Sequence, residues 1–292
     1  MKKTISLLLA VLLTLSCCTA ASAAGIGAGE ERVVIGADLS SEEIASVYKD
    51  FGVERGSVTE LTVTNAEERT YLEGVVEEST IGTRSISCIY IKVAEKDEGL
   101  TISTNHINWC TSSIYQNALI TAGIYDAKVI ISAPFEVSGT AALTGIYKAY
   151  EDITGEKLSA AAKDAATNEL VITSELADEI GDADATEIVN ALKEILSDTA
   201  NMSDEELLAE IRALEKEYDV SLTETQEGQL IDLVRMLEKL DTSELMEKVK
   251  SVQEGVKKLS QASGTVTNII TGVKNFFASI GNFFSGLFGK KS

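Results

Sequence analysis

The chain has 292 residues, 45% of them hydrophobic, which is enough for a packed core and argues against wholesale disorder. It carries 46 acidic against 25 basic residues, a formal net charge of −21. A body this acidic repels phosphate backbones, so nucleic-acid binding is excluded as a leading function.

Residues 1–23 read as a secretory signal peptide. Lys2 and Lys3 form a positive start, Ile5 to Leu15 an apolar stretch, and Ala21-Ser22-Ala23 a small-x-small cleavage site. None of the 46 acidic residues precedes Ala24. Cys17 and Cys18 raise a lipoprotein alternative, but the residues before them depart from the usual lipid-attachment pattern. The expected location is therefore secreted or extracytoplasmic. Two cysteines follow the cleavage site, Cys88 and Cys110, and an even number in an exported chain permits one disulfide.

Residues 24–31 are Gly- and Ala-rich and read as a flexible arm. An α/β domain is expected over residues 32–150. Arg32 to Ala37 is a β-branched strand candidate. Ser40 with Glu43 forms a capping box, opening a helix that carries Ile44, Val47, Tyr48 and Phe51 on one face and ends at Gly52. Thr59 to Thr64 alternates as a second strand, and Asn65 opens a short helix through Leu72. Ile86 to Val93 and Leu100 to Ile107 read as an antiparallel hairpin turning at Gly99. That pairing puts Cys88 opposite His106, just short of Cys110, so it permits the disulfide without implying it. Thr111 starts a third helix ending at Gly123. Ala127 to Ala133 is apolar almost throughout, as a strand buried on both faces is. A turn follows at Pro134, the single proline, and a helix enters through Ser138-Gly139-Thr140.

Strand signals stop after Tyr150, and residues 151–262 read as a helical domain. Leu158 to Ile180 is one helix. Asp184, Ser203 with Glu206, Thr223 with Gln226, and Asp241 with Glu244 open four more. The composition changes at Gly264. From Val266 to Phe288 there is no acidic residue, and Ile269, Ile270, Val273, Phe276, Phe277, Ile280, Phe283, Phe284, Leu287 and Phe288 recur at helical spacing. Residues 263–292 thus read as an amphipathic helix with a basic tail, Lys290-Lys291. Three roles fit the stripe: packing on the chain's own core, contact with a membrane surface or an apolar groove of an envelope protein, or a membrane span. Lys274, Asn275 and Asn282 would be costly in hydrocarbon, which weighs against the span. The fold class expected is α+β: an α/β domain with a mixed sheet, an all-helical domain and the C-terminal helix.

Candidate chemistry is sparse. Ser138, Gly139 and Thr140 follow a buried strand and open a helix, so their N–H groups and the helix dipole could hold an anion. The loop lacks the glycine pattern of a phosphate-binding motif, and an ordinary Ser138 cap competes with that reading. His106, the only histidine, stands four residues before Cys110, but a Cys–His nucleophile needs an orienting group and an oxyanion hole that the sequence does not supply. The Asp182 to Glu187 acids lack calcium-loop spacing and suit the positive end of a helix. No metal ligand set, cofactor or oligomeric state is indicated.

The stretch Ala133 to Gly145, APFEVSGTAALTG, resembles a family of exported bacterial proteins known as domain of unknown function 1002. VVIGADLS (Val33 to Ser40), LTVTNAEE (Leu61 to Glu68), IGTRSIS (Ile81 to Ser87), NALITAGI (Asn117 to Ile124) and ELVITSELADEIG (Glu169 to Gly181) agree with it in the same order. The resemblance covers about Val33 to Leu240 and implies a secreted or envelope-located protein, mainly of Gram-positive bacteria. It implies no activity and carries over no catalytic residue. Two function classes follow: a non-enzymatic envelope protein using the Phe-rich helix as its contact, or a hydrolase or transferase on an envelope polymer with its site at Ser138 to Thr140.

Overall fold

The structure is a computed structural model that describes residues 27–263, with side chains as far as Gln253. Its fold is α+β, a mixed five-stranded sheet followed by helices. The strands are β1 (Glu31–Gly36), β2 (Thr59–Val63), β3 (Cys88–Val93), β4 (Leu100–Ile107) and β5 (Ala127–Val137). The helices of the first half are α1 (Ser41–Phe51), α2 (Asn65–Leu72), α3 (Glu78–Ile81), α4 (Ser112–Ala122) and α5 (Thr140–Thr154). Then come α6 (Ala160–Ile180), α7 (Asp182–Glu194), α8 (Leu196–Thr199), α9 (Asp204–Tyr218), α10 (Glu224–Leu237) and α11 (Thr242–Ser263).

The strand order is β2-β1-β3-β5-β4. β1 and β2 are parallel, as are β4 and β5, and β3 runs antiparallel between the two pairs. The expected β3–β4 hairpin is therefore wrong: β5 lies between them, with Val93 and Leu100 both opposite Ala127. The turn at Glu95 to Gly99 is real, with the Glu98 N–H donating to the Glu95 carbonyl. It crosses two strand spacings, about 10 Å, instead of one. The reason lies in β5. Its apolar run gains most from burial on both faces and both edges, whereas β4 alternates Thr101, Ser103 and Asn105 outward and tolerates an edge. The β4-α4-β5 segment becomes a parallel crossover unit, as β1-α1-β2 is.

The turn expected at Pro134 is also absent, since β5 continues to Val137. The β4–β5 ladder breaks between Asn105 and Ile107, where His106 adopts φ 55°. Pro134 falls in that irregular stretch, where its missing N–H costs no ladder bond. At the other end of the fold, the arm read over 24–31 is held from Gly27 onward. Gly27 accepts from the Glu30 N–H, and the Gly29 N–H donates to Val93 O at 2.8 Å.

The caps at Ser40, Ser203 and Thr223 form as their sequences dictate, each with its reciprocal bond from the third helical residue. The α2 box sits one residue earlier than expected, on Thr64 with Glu67. α7 begins two residues earlier, at Asp182.

α1 covers one face of the sheet, over Val33, Ile35, Cys88, Tyr90 and Ile130. α4 and α5 cover the other, and α6 and α7 pack behind α4. One continuous set of buried apolar residues runs from Val34 and Ile89 in the sheet through Ile114 and Leu119 to Leu192, Leu233 and Leu245. α7 is at its centre, in contact with α4, α6, α9, α10 and α11.

Candidate functional site

Because β1, β2, β4 and β5 point the same way, their carboxyl ends and the starts of α1, α2, α4 and α5 collect along one edge of the sheet. Open α/β sheets bind ligands at that edge. Ser138, Gly139 and Thr140 lie there, between the end of β5 and the first turn of α5. Gly139 is the residue at the helix start, with φ 99°, and its carbonyl accepts the Tyr115 hydroxyl at 2.5 Å. Ser138, expected as the cap, instead donates its hydroxyl to the Thr80 carbonyl at 3.1 Å and makes no cap bond.

The Thr140 hydroxyl donates to Glu68 Oε1 at 2.6 Å, and Asn65 Nδ2 lies 3.3 Å from Glu68 Oε2. Glu68 is 1% exposed. A carboxyl group of α2 thus stands against the first residue of this helix. Burial pushes that group up to about 7, against the Thr140 and Asn65 hydrogen bonds and the nearby Arg69, all of which favour the charged form. A carboxyl raised in the fold favours folding fully below its ordinary value of 4.5, and that contribution is lost as pH rises through 7. Glu68→Gln, which stays neutral, should flatten the fall in urea stability between pH 5 and 8 by on the order of 2 kcal/mol. An unchanged slope would mean that Glu68 is not the group responsible.

Several neighbouring groups at this edge are satisfied in the same internal way, although the buried Ser85 hydroxyl has no partner among the described residues. Asp38 Oδ2 accepts the Ser85 N–H at 2.8 Å, and Arg84 donates to the Asp38 carbonyl at 2.7 Å. Trp109 Nε1 donates to Asp178 at 3.0 Å. The Thr111 and Ser113 hydroxyls donate to the two oxygens of Asp182 at 2.5 and 2.7 Å. Asp182 and Asp184 stand in the first turn of α7, which is the helix-start role read for this acidic run.

The disulfide that the sequence permitted between Cys88 and Cys110 does not form; both thiols are free and buried. Cys88 packs under α1 on one face of the sheet, and Cys110 packs in the main core on the other. With β5 between β3 and β4 and the two thiols in separate apolar clusters, the bridge that an even cysteine count permits has no geometry to form. Burial pushes each thiol up to about 12, far from the thiolate a nucleophile needs. His106 does not pair with Cys110. Its Nδ1 lies 2.9 Å from the Ala133 carbonyl at the strand irregularity, while Cys110 faces Ser174.

The most heavily buried charges were missed by sequence reading. Lys193 on α7 and Glu169 on α6 are both 0% exposed, and Lys193 Nζ lies 2.5 Å from Glu169 Oε1. Lys193 also donates to the Asn117 carbonyl at 3.1 Å, and the Thr121 hydroxyl donates to Glu169 Oε2 at 2.5 Å. Burial pushes the Lys193 ammonium below the usual lysine range, with Glu169 pulling it back up. The available signal was phase: Lys193 falls four residues after Val189, on a buried side of α7. The network ties α4, α6 and α7 together and is closed to solvent.

Among the described residues, no three His, Cys, Asp or Glu side chains are grouped to hold a metal ion. No described helix is long and apolar enough to cross a membrane. The Phe-rich stripe, Ile269 to Phe288, lies outside the described residues.

No solved structure matches the chain. A Bacillus subtilis (strain 168) protein, described as uncharacterized protein YpuA, is 37% identical over 272 residues, which cover 91% of this chain and 92% of that protein. The family model described as protein of unknown function (DUF1002) matches residues 35–259, nearly all of the described fold, and the chain belongs to that family.

Proposed function

We propose that the protein is an exported, non-enzymatic component of the cell envelope that uses its C-terminal amphipathic helix to contact a membrane surface or the apolar groove of an envelope partner. The observation that carries this reading is the acid-free stripe from Val266 to Phe288 at the end of a chain with a net charge of −21. A surface helix that buries large apolar side chains in a membrane interface gains about 1.5–3 kcal/mol for each one fully transferred from water. Phe276, Phe277, Phe283, Phe284 and Phe288 give this stripe an unusual apolar content.

The body supports the same reading by contrast. Among its described large apolar side chains, Phe135 is the exposed one. The alternative, a hydrolase or transferase centred on Ser138 to Thr140, needs those side chains free for a substrate, and Glu68 already takes the Thr140 hydroxyl while the Thr80 carbonyl takes that of Ser138.

Liposome co-sedimentation tests the proposal on a chain from Ala24 to Ser292 beside one ending at Ser263, the last residue of α11. The long chain should pellet with phosphatidylcholine vesicles while the short one stays in solution, with equal melting temperatures. Adding anionic phosphatidylglycerol should weaken the binding at low salt, because the acidic body is repelled. If neither chain pellets and the short one melts well below the long one, the stripe belongs to the protein's own core and the proposal fails.

A further inference from the structure

α7 carries Asp184, Glu187 and Glu194, whose spacing of three and seven residues puts them along one side of the helix. Glu194 is 7% exposed, and its Oε1 has no hydrogen-bond partner among the described residues. α11 packs over this part of the fold, against α7, α4 and α8. Its described anchors are few: Leu245 and Val249 are buried, and Met246 and Val252 are partly so. Lys248 adds a 3.3 Å pairing with Asp97 and a position over the Tyr125 ring at 5.1 Å.

The titratable and charged groups facing Glu194 come from three helices. α11 supplies Lys250 and the neutral amide of Gln253; α7 itself supplies Glu187; α9 supplies Tyr218. Lys250 is exposed, so water screens its attraction, while Glu187 adds repulsion. A buried carboxyl with one oxygen unpaired costs less neutral than charged.

We propose that Glu194 is a proton-operated latch for α11: neutral, it lets α11 dock firmly on α7, and ionised, its poorly compensated charge loosens that helix. Burial pushes the carboxyl up to about 7 from 4.5. Docking is therefore tightest below the ordinary carboxylate range and weakens as pH rises through 7. The latch concerns α11 alone and stands whether or not the segment after it meets a membrane.

Hydrogen–deuterium exchange on the chain from Ala24 to Ser292 tests it, with rates corrected for the intrinsic pH dependence and α10 as internal reference. Local opening of α11 should increase about tenfold, relative to α10, between pH 5 and 8. Glu194→Gln should hold α11 at its low-pH protection throughout. Lys250→Met, at an exposed position, should move the midpoint to higher pH by removing the cation that favours ionisation. A wild-type profile without pH dependence, or the same profile in Glu194→Gln, overturns the latch. If Glu194→Gln fails to fold, an unmoved midpoint in Lys250→Met overturns it instead.

Discussion

Replacing Lys193 with methionine should lower the stability of the fold by about 3–5 kcal/mol, the range for removing one partner of a fully buried ion pair. Methionine keeps the length and apolar stem of lysine, so the loss comes mainly from charge and not from a cavity. Glu169 would keep the Thr121 hydroxyl on Oε2 and lose the ammonium on Oε1, with no water to replace it. The double variant Lys193→Met with Glu169→Gln removes both charges and should recover at least about half of the loss, since the penalty comes from a lone charge more than from a missing attraction. Urea unfolding of the four proteins of the cycle measures this. Additive losses in the double variant would show that the two side chains do not act as a pair.

The Lys193 pair also shows where sequence reading stops. Periodicity finds the helices because each buries at least one stripe, and capping boxes fix several starts to the residue. It assumes, however, that a charged residue marks a solvent face. On α7 that assumption fails, since every residue from Ile188 to Glu194 is buried. A helix packed against six others shows no solvent face over that stretch. Lys193 and Glu169 are 24 residues apart in the chain, and only the packing of α6 on α7 makes them partners. The hairpin failed for a related reason. Strand order depends on which strand gains most from a central place, and a plausible turn at Gly99 says nothing of that. Ser138 to Thr140 do lie where a strand ends and a helix opens. Their partner Glu68 stands 72 residues upstream of Thr140 and read as an ordinary acid near the start of a short helix.

Gly139→Ala should be the most damaging single-methyl change at that site, at about 3–5 kcal/mol, from a left-handed backbone and an overpacked neighbour together. Gly139 sits at φ 99°, where an L side chain is strained in any surroundings. An added Cβ would also stand 2.6 Å from the Tyr115 hydroxyl oxygen and 2.7 Å from Ile107 Cγ2. Tyr115 cannot give way cheaply, because it is fully buried and its hydroxyl is bonded to the Gly139 carbonyl. Six residues on, Gly145→Ala provides the contrast. There the added Cβ would meet Ile89 and Val34 at 3.5 Å, ordinary contact within a helix, and the exchange should gain about 0.5–1 kcal/mol of helix propensity. Thermal and urea unfolding of both variants should therefore give shifts of opposite sign. Adding Tyr115→Phe to Gly139→Ala removes the nearer clash and should restore part of the loss while leaving the backbone strain. If the two glycines respond alike, the tight passage at the start of α5 is not what Gly139 is needed for.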